Sequence, residues 1–304
     1  MKPLQELTNL ASRISVEGRT DTVTPDLWIQ KSSSASELQA LFYRPLLCLV
    51  LQGIKRTVIG NREFIYAAGE YFVAGIDVPA LGQTLQASPA EPYLALLFQI
   101  DSAKVSQAIL DLPASSPPQM VSSFGVHEAE DALVEAFLRM LRLIEKPQEA
   151  IFMGPLLEKE VLYRLVQGPQ ATLFRQMANA DSRLSTIRLA VNWLRENLTK
   201  PILVEELSSL VGMSTSVFHR HFKAVTAMTP IQYQKQLRLH EARHRLLAGA
   251  GNASEVASSV GYQSISQFTR EYARLFGAPP TRDVGQYKNI KQVSGRDRTG
   301  ISKL

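Results

Sequence analysis

Two segments near the C-terminus carry one pattern. Residues 211–223 read VGMSTSVFHRHFK and residues 260–274 read VGYQSISQFTREYAR. In each, a Val-Gly step leads through a Ser-containing stretch to Phe-x-Arg-x-aromatic. Phe218, Arg220 and Phe222 recur fifty positions later as Phe268, Arg270 and Tyr272. Such a repeat is one supersecondary unit used twice. A glycine between two short apolar-periodic stretches makes that unit a helix-turn-helix.

In the first unit, Leu203, Leu207, Leu210 and Val211 form an apolar stripe, Gly212 supplies the turn and Ser214 caps the next helix. That helix buries Val217, Phe218 and Phe222. In the second unit, Asn252-x-x-Glu255 is a capping box, Gly261 the turn and Ser264-x-x-Gln267 a second capping box. Gly277 and Pro279-Pro280 end it. Between the units, Thr229-Pro230 opens a long helix. About 17 residues span roughly 25 Å. A spacer of that size can set two recognition helices near one DNA turn apart, about 34 Å.

Charge sorts the chain into two halves. Residues 183–304 hold 18 basic and 8 acidic residues, net +10, whereas residues 1–182 are net −5. The C-terminal half therefore suits a polyanion. A length of 304 residues fits about two domains. Apolar runs fall well short of the ~20 residues that a membrane span needs. The first residues lack a signal-peptide pattern, so a cytoplasmic protein is expected. The single cysteine, Cys48, excludes an internal disulfide and a cysteine-based zinc site.

The N-terminal half changes period midway. Residues 1–35 read as mixed, ending in a loop. From 41 to 100 the pattern is of short strands: LLCLVLQG at 46–53, a hairpin turning at Gly60-Asn61, a turn at Ala67 to Glu70, and PYLALLFQI at 92–100. From 127 onward, Ala132 to Ile144 and Leu156 to Leu165 read as amphipathic helices that either cover the strands or form a dimer seam. Residues 1–182 contain one histidine, His127, outside the strands. A metal-dependent barrel enzyme is thus disfavoured. No serine elbow, phosphate loop or Cys-His pair is present, and we expect no enzyme and no cofactor.

The outward residues of the paired helices define the expected DNA contacts. Arg220 and Arg270, at equivalent positions, suit guanine edges, and Gln267 suits adenine. Lys223 suits phosphate. His219 lies beside Arg220 on the open side, and His221 is left unassigned. Tyr66, Tyr71, Phe72, Arg44 and Lys55 are weak candidates for lining a pocket. Cys48, in an apolar strand, is a weak candidate sensor of an electrophile or oxidant, a role that needs exposure and a lowered pKa.

These residues resemble the AraC/XylS family of bacterial transcription regulators. VGMSTSVFHRHFK, TPIQYQKQLRLHEARHRLLA and VGYQSISQFTREYARLFGAPP are similar in order and spacing to its two-unit domain. PLLCLVLQGIKRTVIG, EPYLALLFQID and PLLEKEVLYRLVQGP resemble an N-terminal domain of one subgroup. The resemblance implies an α+β chain with an N-terminal cupin-like β-barrel with accessory helices and a C-terminal all-α domain. It implies an effector-binding and dimerisation domain at 1–176, a linker at 177–185, a double helix-turn-helix domain at 186–288 and a disordered basic tail at 289–304. The implied partners are double-stranded promoter DNA, RNA polymerase, an unidentified small-molecule effector and a second copy of the chain. By alignment with the family, contacts fall on Thr215, Ser216, His219 and Arg220, and on Ser266, Gln267, Thr269 and Arg270. The implied role is an activator reading two adjacent major-groove segments with helices 214–223 and 264–275. The chain departs from the family at Ile265, where a short polar residue or proline is common; an isoleucine there either meets a thymine methyl or packs.

Overall fold

A computed structural model describes residues 2–110 and 122–285. The expected tail at 289–304 lies outside them. The chain starts with a helix, α1 (Pro3–Ile14), and two strands, β1 (Gly18–Asp21) and β2 (Leu27–Ser32), where the sequence reads as mixed and ending in a loop. The strands are short and β1 alternates half-buried with exposed residues, so neither leaves an apolar run. Next come β3 (Gln39–Tyr43), β4 (Leu46–Gln52), β5 (Ile54–Ile59), β6 (Arg62–Ala67), β7 (Glu70–Ala74), β8 (Val78–Gln86) and β9 (Tyr93–Gln99). Helix α2 (Ser102–Leu110), β10 (Phe124–Glu128), α3 (Asp131–Arg142), α4 (Pro147–Gln167) and α5 (Ala171–Ala178) complete this part.

The strands pair as two antiparallel sheets, β1-β2-β9-β4-β7-β10 and β3-β8-β5-β6. Strand β4 explains the layering. Its residues are buried on both faces, so it reads as a continuous apolar run. Leu47, Leu49 and Leu51 face the helix layer with Leu7, Phe137 and Leu165. Cys48 and Val50 face the opposite sheet with Tyr66, Phe72 and Val78. The larger sheet thus lies between helices on one side and the smaller sheet on the other. Helix α3 packs its apolar stripe into this helix layer. Helix α4 begins earlier than expected, at Pro147, and its first turns remain open to solvent.

The C-terminal part is helical: α6 (Arg183–Glu196), α7 (Val204–Leu210), α8 (Thr215–Thr226), α9 (Pro230–Leu247), α10 (Ala253–Ser259) and α11 (Ile265–Phe276), followed by helical residues 280–285. Of the stretch 177–185 expected as linker, only 179–182 lie outside helices. Hydrogen bonds hold this joint: Ser182 Oγ donates to the Gln176 carbonyl at 2.5 Å and accepts from the Ser185 amide at 3.0 Å.

The two parts share a core. Tyr43, Val78 and Ala80 from the sheets pack in one cluster with Ile187, Phe218, Tyr233 and Leu237 from the helices. Tyr233 Oη donates to the Asp77 carbonyl at 2.7 Å, and Arg195 pairs with the Asp77 carboxylate. The β5–β6 turn meets the end of α8 most closely. A Cβ at Gly60 would lie 2.1 Å from the Ala227 carbonyl oxygen. Gly60→Ala is therefore expected to break this joint. Gly18→Ala is the control, because Gly18 has a similar positive φ but open space around its Cβ. Both substitutions carry about 1 kcal/mol of backbone cost. Gly60→Ala should lose roughly a further 1–3 kcal/mol in thermal or urea unfolding and expose 179–182 to protease.

Candidate nucleic-acid interface

Each helix-turn-helix is fixed by its turn glycine and its buried aromatics. Gly212 at φ 66 and Gly261 at φ 90 take the left-handed conformation that a tight turn needs. In the first unit the Met213 amide donates to the Ser208 carbonyl at 2.9 Å; in the second the Tyr262 amide donates to Ala257 at 3.0 Å. Phe218 and Phe222 of α8, and Phe268 and Tyr272 of α11, are fully buried. The first helices of the two units are offset by 49 residues and the recognition helices by 50, so the second turn is one residue longer.

The caps follow the sequence in part. Thr229 with Gln232 and Asn252 with Glu255 both form capping boxes. Ser264 caps α11 by accepting from the Gln267 amide, but the Gln267 side chain turns to Glu271 instead of back to the cap. Only half of the expected box forms, because Glu271, one turn on, draws the amide away at 3.2 Å. Ser214 stands at the cap of α8 without a cap hydrogen bond.

The burial of these helices leaves one face of each in solvent. On α8, Ser216, Arg220 and Lys223 are exposed, and Thr215 and His219 are half-buried. On α11, Ser266, Gln267, Arg270 and Arg274 are exposed and Thr269 is half-buried. Arg220, Lys223, Arg270 and Arg274 make no ion pair among the described residues. Thr215 Oγ1 lies 3.4 Å from Ser208 Oγ, turned towards α7. His221 is buried on the opposite side, its pKa lowered by burial and by Arg183 and Arg220. It belongs to the core.

Helix α9 supplies residues whose role the sequence does not announce. Arg238 donates to the carbonyls of Leu198 at 2.6 Å, Lys200 at 3.1 Å and Gly261 at 3.3 Å, tying the α6–α7 connection to the second turn. Lys235 pairs with Glu271 of α11 at 2.6 Å. Arg243 grips Asp283 through two nitrogens, at 2.9 and 3.1 Å, and Tyr272 Oη donates to the same carboxylate at 2.7 Å. In sequence these are charged residues on a helix, and nothing local marks them as braces.

The other candidates fall in the sheet part. Tyr66 and Phe72 stack at 5.5 Å between the sheets, whereas Tyr71 faces the helix layer. Lys55 Nζ lies 5.5 Å from the Tyr93 ring. Arg44 is exposed on the rim of a cleft of about 510 Å3 between the parts, which Phe42, Leu237 and His240 also line. Cys48 is buried, with its sulfur 3.7 Å from Tyr93 Oη. Burial pushes its thiol pKa up, the opposite of what a sensor thiol requires. Among the described residues no group of three or more His, Cys, Asp or Glu could hold a metal ion. None of their helices is long and apolar enough to cross a membrane.

Two helix-turn-helix units braced on one spacer helix, docked to a two-sheet domain, define a DNA-binding regulator. Residues 23–173 match the AraC-type transcriptional regulator N-terminus, and residues 207–284 match a helix-turn-helix domain family. The chain belongs to the AraC family of transcription regulators. It is 25% identical over 157 residues to the HTH-type transcriptional activator RhaS of Salmonella schwarzengrund, covering 51% of this chain and 55% of RhaS. It is 36% identical over 91 residues to the probable transcriptional regulator LumQ of Photobacterium leiognathi, covering 30% of this chain and 37% of LumQ. The chain thus spans about half the length, or less, of these two relatives. A crystal structure of ToxT from Vibrio cholerae shares the fold with a TM-score of 0.56 at 10% identity, over 84% of this chain and 97% of ToxT. ToxT bound to an unsaturated fatty acid gives 0.54 at 8% identity, over 85% and 93%.

His240 makes this architecture sensitive to acid. Its ring lies between Phe42 of β3 at 5.8 Å and Phe276 of α11 at 5.4 Å, with Nε2 buried and without a hydrogen-bond partner. Burial first, then Arg243, lowers its pKa from 6.5 to about 4. Between these values the unfolded chain binds the proton and the folded chain does not. Stability from this group is therefore complete above pH ~6.5 and falls as pH drops towards ~4, by up to about 2–3 kcal/mol. His240→Phe should flatten the pH dependence of urea unfolding across that window.

Proposed function

We propose that the chain is a sequence-specific, effector-responsive transcription activator that reads two adjacent major-groove segments with α8 and α11. The observation that carries this reading is the equivalent pair Arg220 and Arg270, one on each recognition helix, each with a second cation on its helix, Lys223 and Arg274, all exposed and without an ion pair among the described residues. Arg220 and Arg270 read guanine, and Lys223 holds phosphate. Ser216, His219, Ser266 and Thr269 flank them. Gln267 reaches an adenine by leaving Glu271. Thr215, turned to Ser208, positions the start of α8. The activator role is supported by the likeness to RhaS, a named activator, with RNA polymerase as the partner of an activator. The protein acts by binding, without catalysis, in the cytoplasm.

Effector response is supported by the fatty acid bound to ToxT and by the joint itself. A molecule entering the cleft between Phe42 and Leu237 would press on His240, and through it on Phe276 of α11. Homodimerisation is supported by α4. Phe152 is 74% exposed, Leu156 and Tyr163 continue its face, and Ile151, 87% exposed, lies to one side of it. A two-fold axis across that helix lets the stripe cover itself.

Binding measurements on duplexes selected from a random pool test the reading. Arg220→Ala should relax preference at one base pair, costing about 1–3 kcal/mol, whereas Lys223→Ala should weaken all sequences alike and lower the salt slope by about one. Identical behaviour of the two variants would refute the assignment. Phe152→Glu should shift the sedimentation coefficient to the monomer and leave the unfolding midpoint in place, since the residue is exposed. An unchanged dimer would place the seam elsewhere.

A further inference from the structure

We infer that Ile265 is a specificity-determining residue that reads the C5 methyl group of a thymine. The inference rests on the proposed placement of α11 in the major groove. Ile265 is the first residue of α11 and is 52% exposed. The rest of that helix is cleanly two-faced, with Phe268 and Tyr272 buried and Ser266, Gln267, Arg270 and Arg274 outward. A half-exposed isoleucine gains little from folding. It is also a middling helix former, and its cap is supplied by Ser264. Its spacing, three and seven residues before Phe268 and Tyr272, sets it on the core side of the helix, yet at the first helical position half of it stays in solvent.

The first unit shows what this position looks like when the fold uses it. There Thr215 opens the helix, half-buried, with its hydroxyl 3.4 Å from that of Ser208. In the second unit Ala257 stands where Ser208 does, so the polar pair Ser208–Thr215 becomes the apolar pair Ala257–Ile265. Ala257 is buried, yet the isoleucine beyond it remains open. The longer second turn, with exposed Gln263 ahead of the cap, accompanies this change.

The N-terminal residues of a recognition helix are those that reach base edges. Of the groups presented in the major groove, the one apolar group is the thymine methyl. A branched aliphatic side chain at that place has no hydrogen bond to offer and matches that group alone. The second unit would then read a mixed pattern, guanine through Arg270 and a thymine methyl through Ile265, and the first unit a polar one.

The test uses the full chain and a duplex recovered by selection from a random pool. Each thymine in the segment contacted by α11 is replaced in turn by deoxyuridine, which lacks only the methyl. Wild-type protein should lose about fourfold in affinity at one position. Ile265→Ala, shorter by three carbons, and Ile265→Ser, which has no methyl group, should bind thymine and uracil there equally, with unchanged unfolding midpoints. Placing 5-methylcytosine where the selected site tolerates cytosine should recover part of the loss for wild type alone. The inference fails if no thymine in that segment is methyl-sensitive, or if the sensitivity survives Ile265→Ala. Recovery of no preferred sequence at all would instead overturn the reading of the protein as a sequence-specific regulator, and this inference with it.

Discussion

Helix α9 is the constraint on which the rest of the molecule depends. Its first turns give Tyr233 and Leu237 to the core shared with α8 and the sheets, and its later turns give Leu239, Ala242 and Leu246 to the core of the second unit. On a third side His240 meets Phe42 of the sheet domain. At 1.5 Å per residue its 18 residues span about 27 Å, so two recognition helices fixed to it keep one separation. The Arg238 and Lys235 contacts then set their tilt: one arginine holds three carbonyls from two connections, and one lysine holds Glu271 on α11. Burial alone would raise the pKa of Glu271, but Lys235, Tyr262 and Gln267 outweigh it and keep the carboxylate charged.

The same helix shows why part of the structure was legible and part was not. The repeat, its turn glycines and its buried aromatics were readable because each is a local requirement: a left-handed turn, a cap, a stripe at helical spacing. The exposed faces of α8 and α11 follow from those stripes, which is why the expected contact residues mostly lie on one open side. Helix α9, by contrast, is buried against three partners and so lacks a single apolar stripe. Arg238 and His240 acquire their roles only from residues 23 to 198 positions away in the chain, such as Gly261 and Phe42. Strands β1 and β2 were hard to read because β1 is an edge strand and β2 is completed by β9. Helix α1 carries its signal locally, in Leu4, Leu7, Leu10, Ala11 and Ile14 at helical spacing after Pro3, and reading 1–35 as mixed misses it. The capping box at Ser264 forms only in half because a competing acceptor one helical turn away takes the Gln267 side chain.

The joint between sheet and helix domains is made of backbone as much as of side chains. Ala227 closes α8 in the left-handed conformation, the sole non-glycine residue with positive φ among the described residues, while its counterpart fifty positions on is Gly277. An alanine costs about 1 kcal/mol more than a glycine in that conformation. Its place under the β5–β6 turn, where the Gly60 backbone approaches its carbonyl, buries Ala227 and helps to offset that cost. The first unit is therefore anchored through main chain, and a change in the sheets at Gly60 or Asp77 is delivered to α8 and α9 without an intervening flexible residue.

The second unit is anchored differently, and the difference bears on how the protein could be regulated. Its route to the sheets passes through edge-on rings, Phe42 to His240 to Phe276, through the packing of α11 against β3, and through braces on α9. Rings slide and tilt at lower cost than a packed main chain moves. The unpartnered Nε2 of His240 adds a polar atom that gains from any rearrangement giving it a partner. The cleft beside Phe42 is thus bordered both by this ring path to α11 and by Leu237, which shares a core with Phe218 and Phe222 of α8.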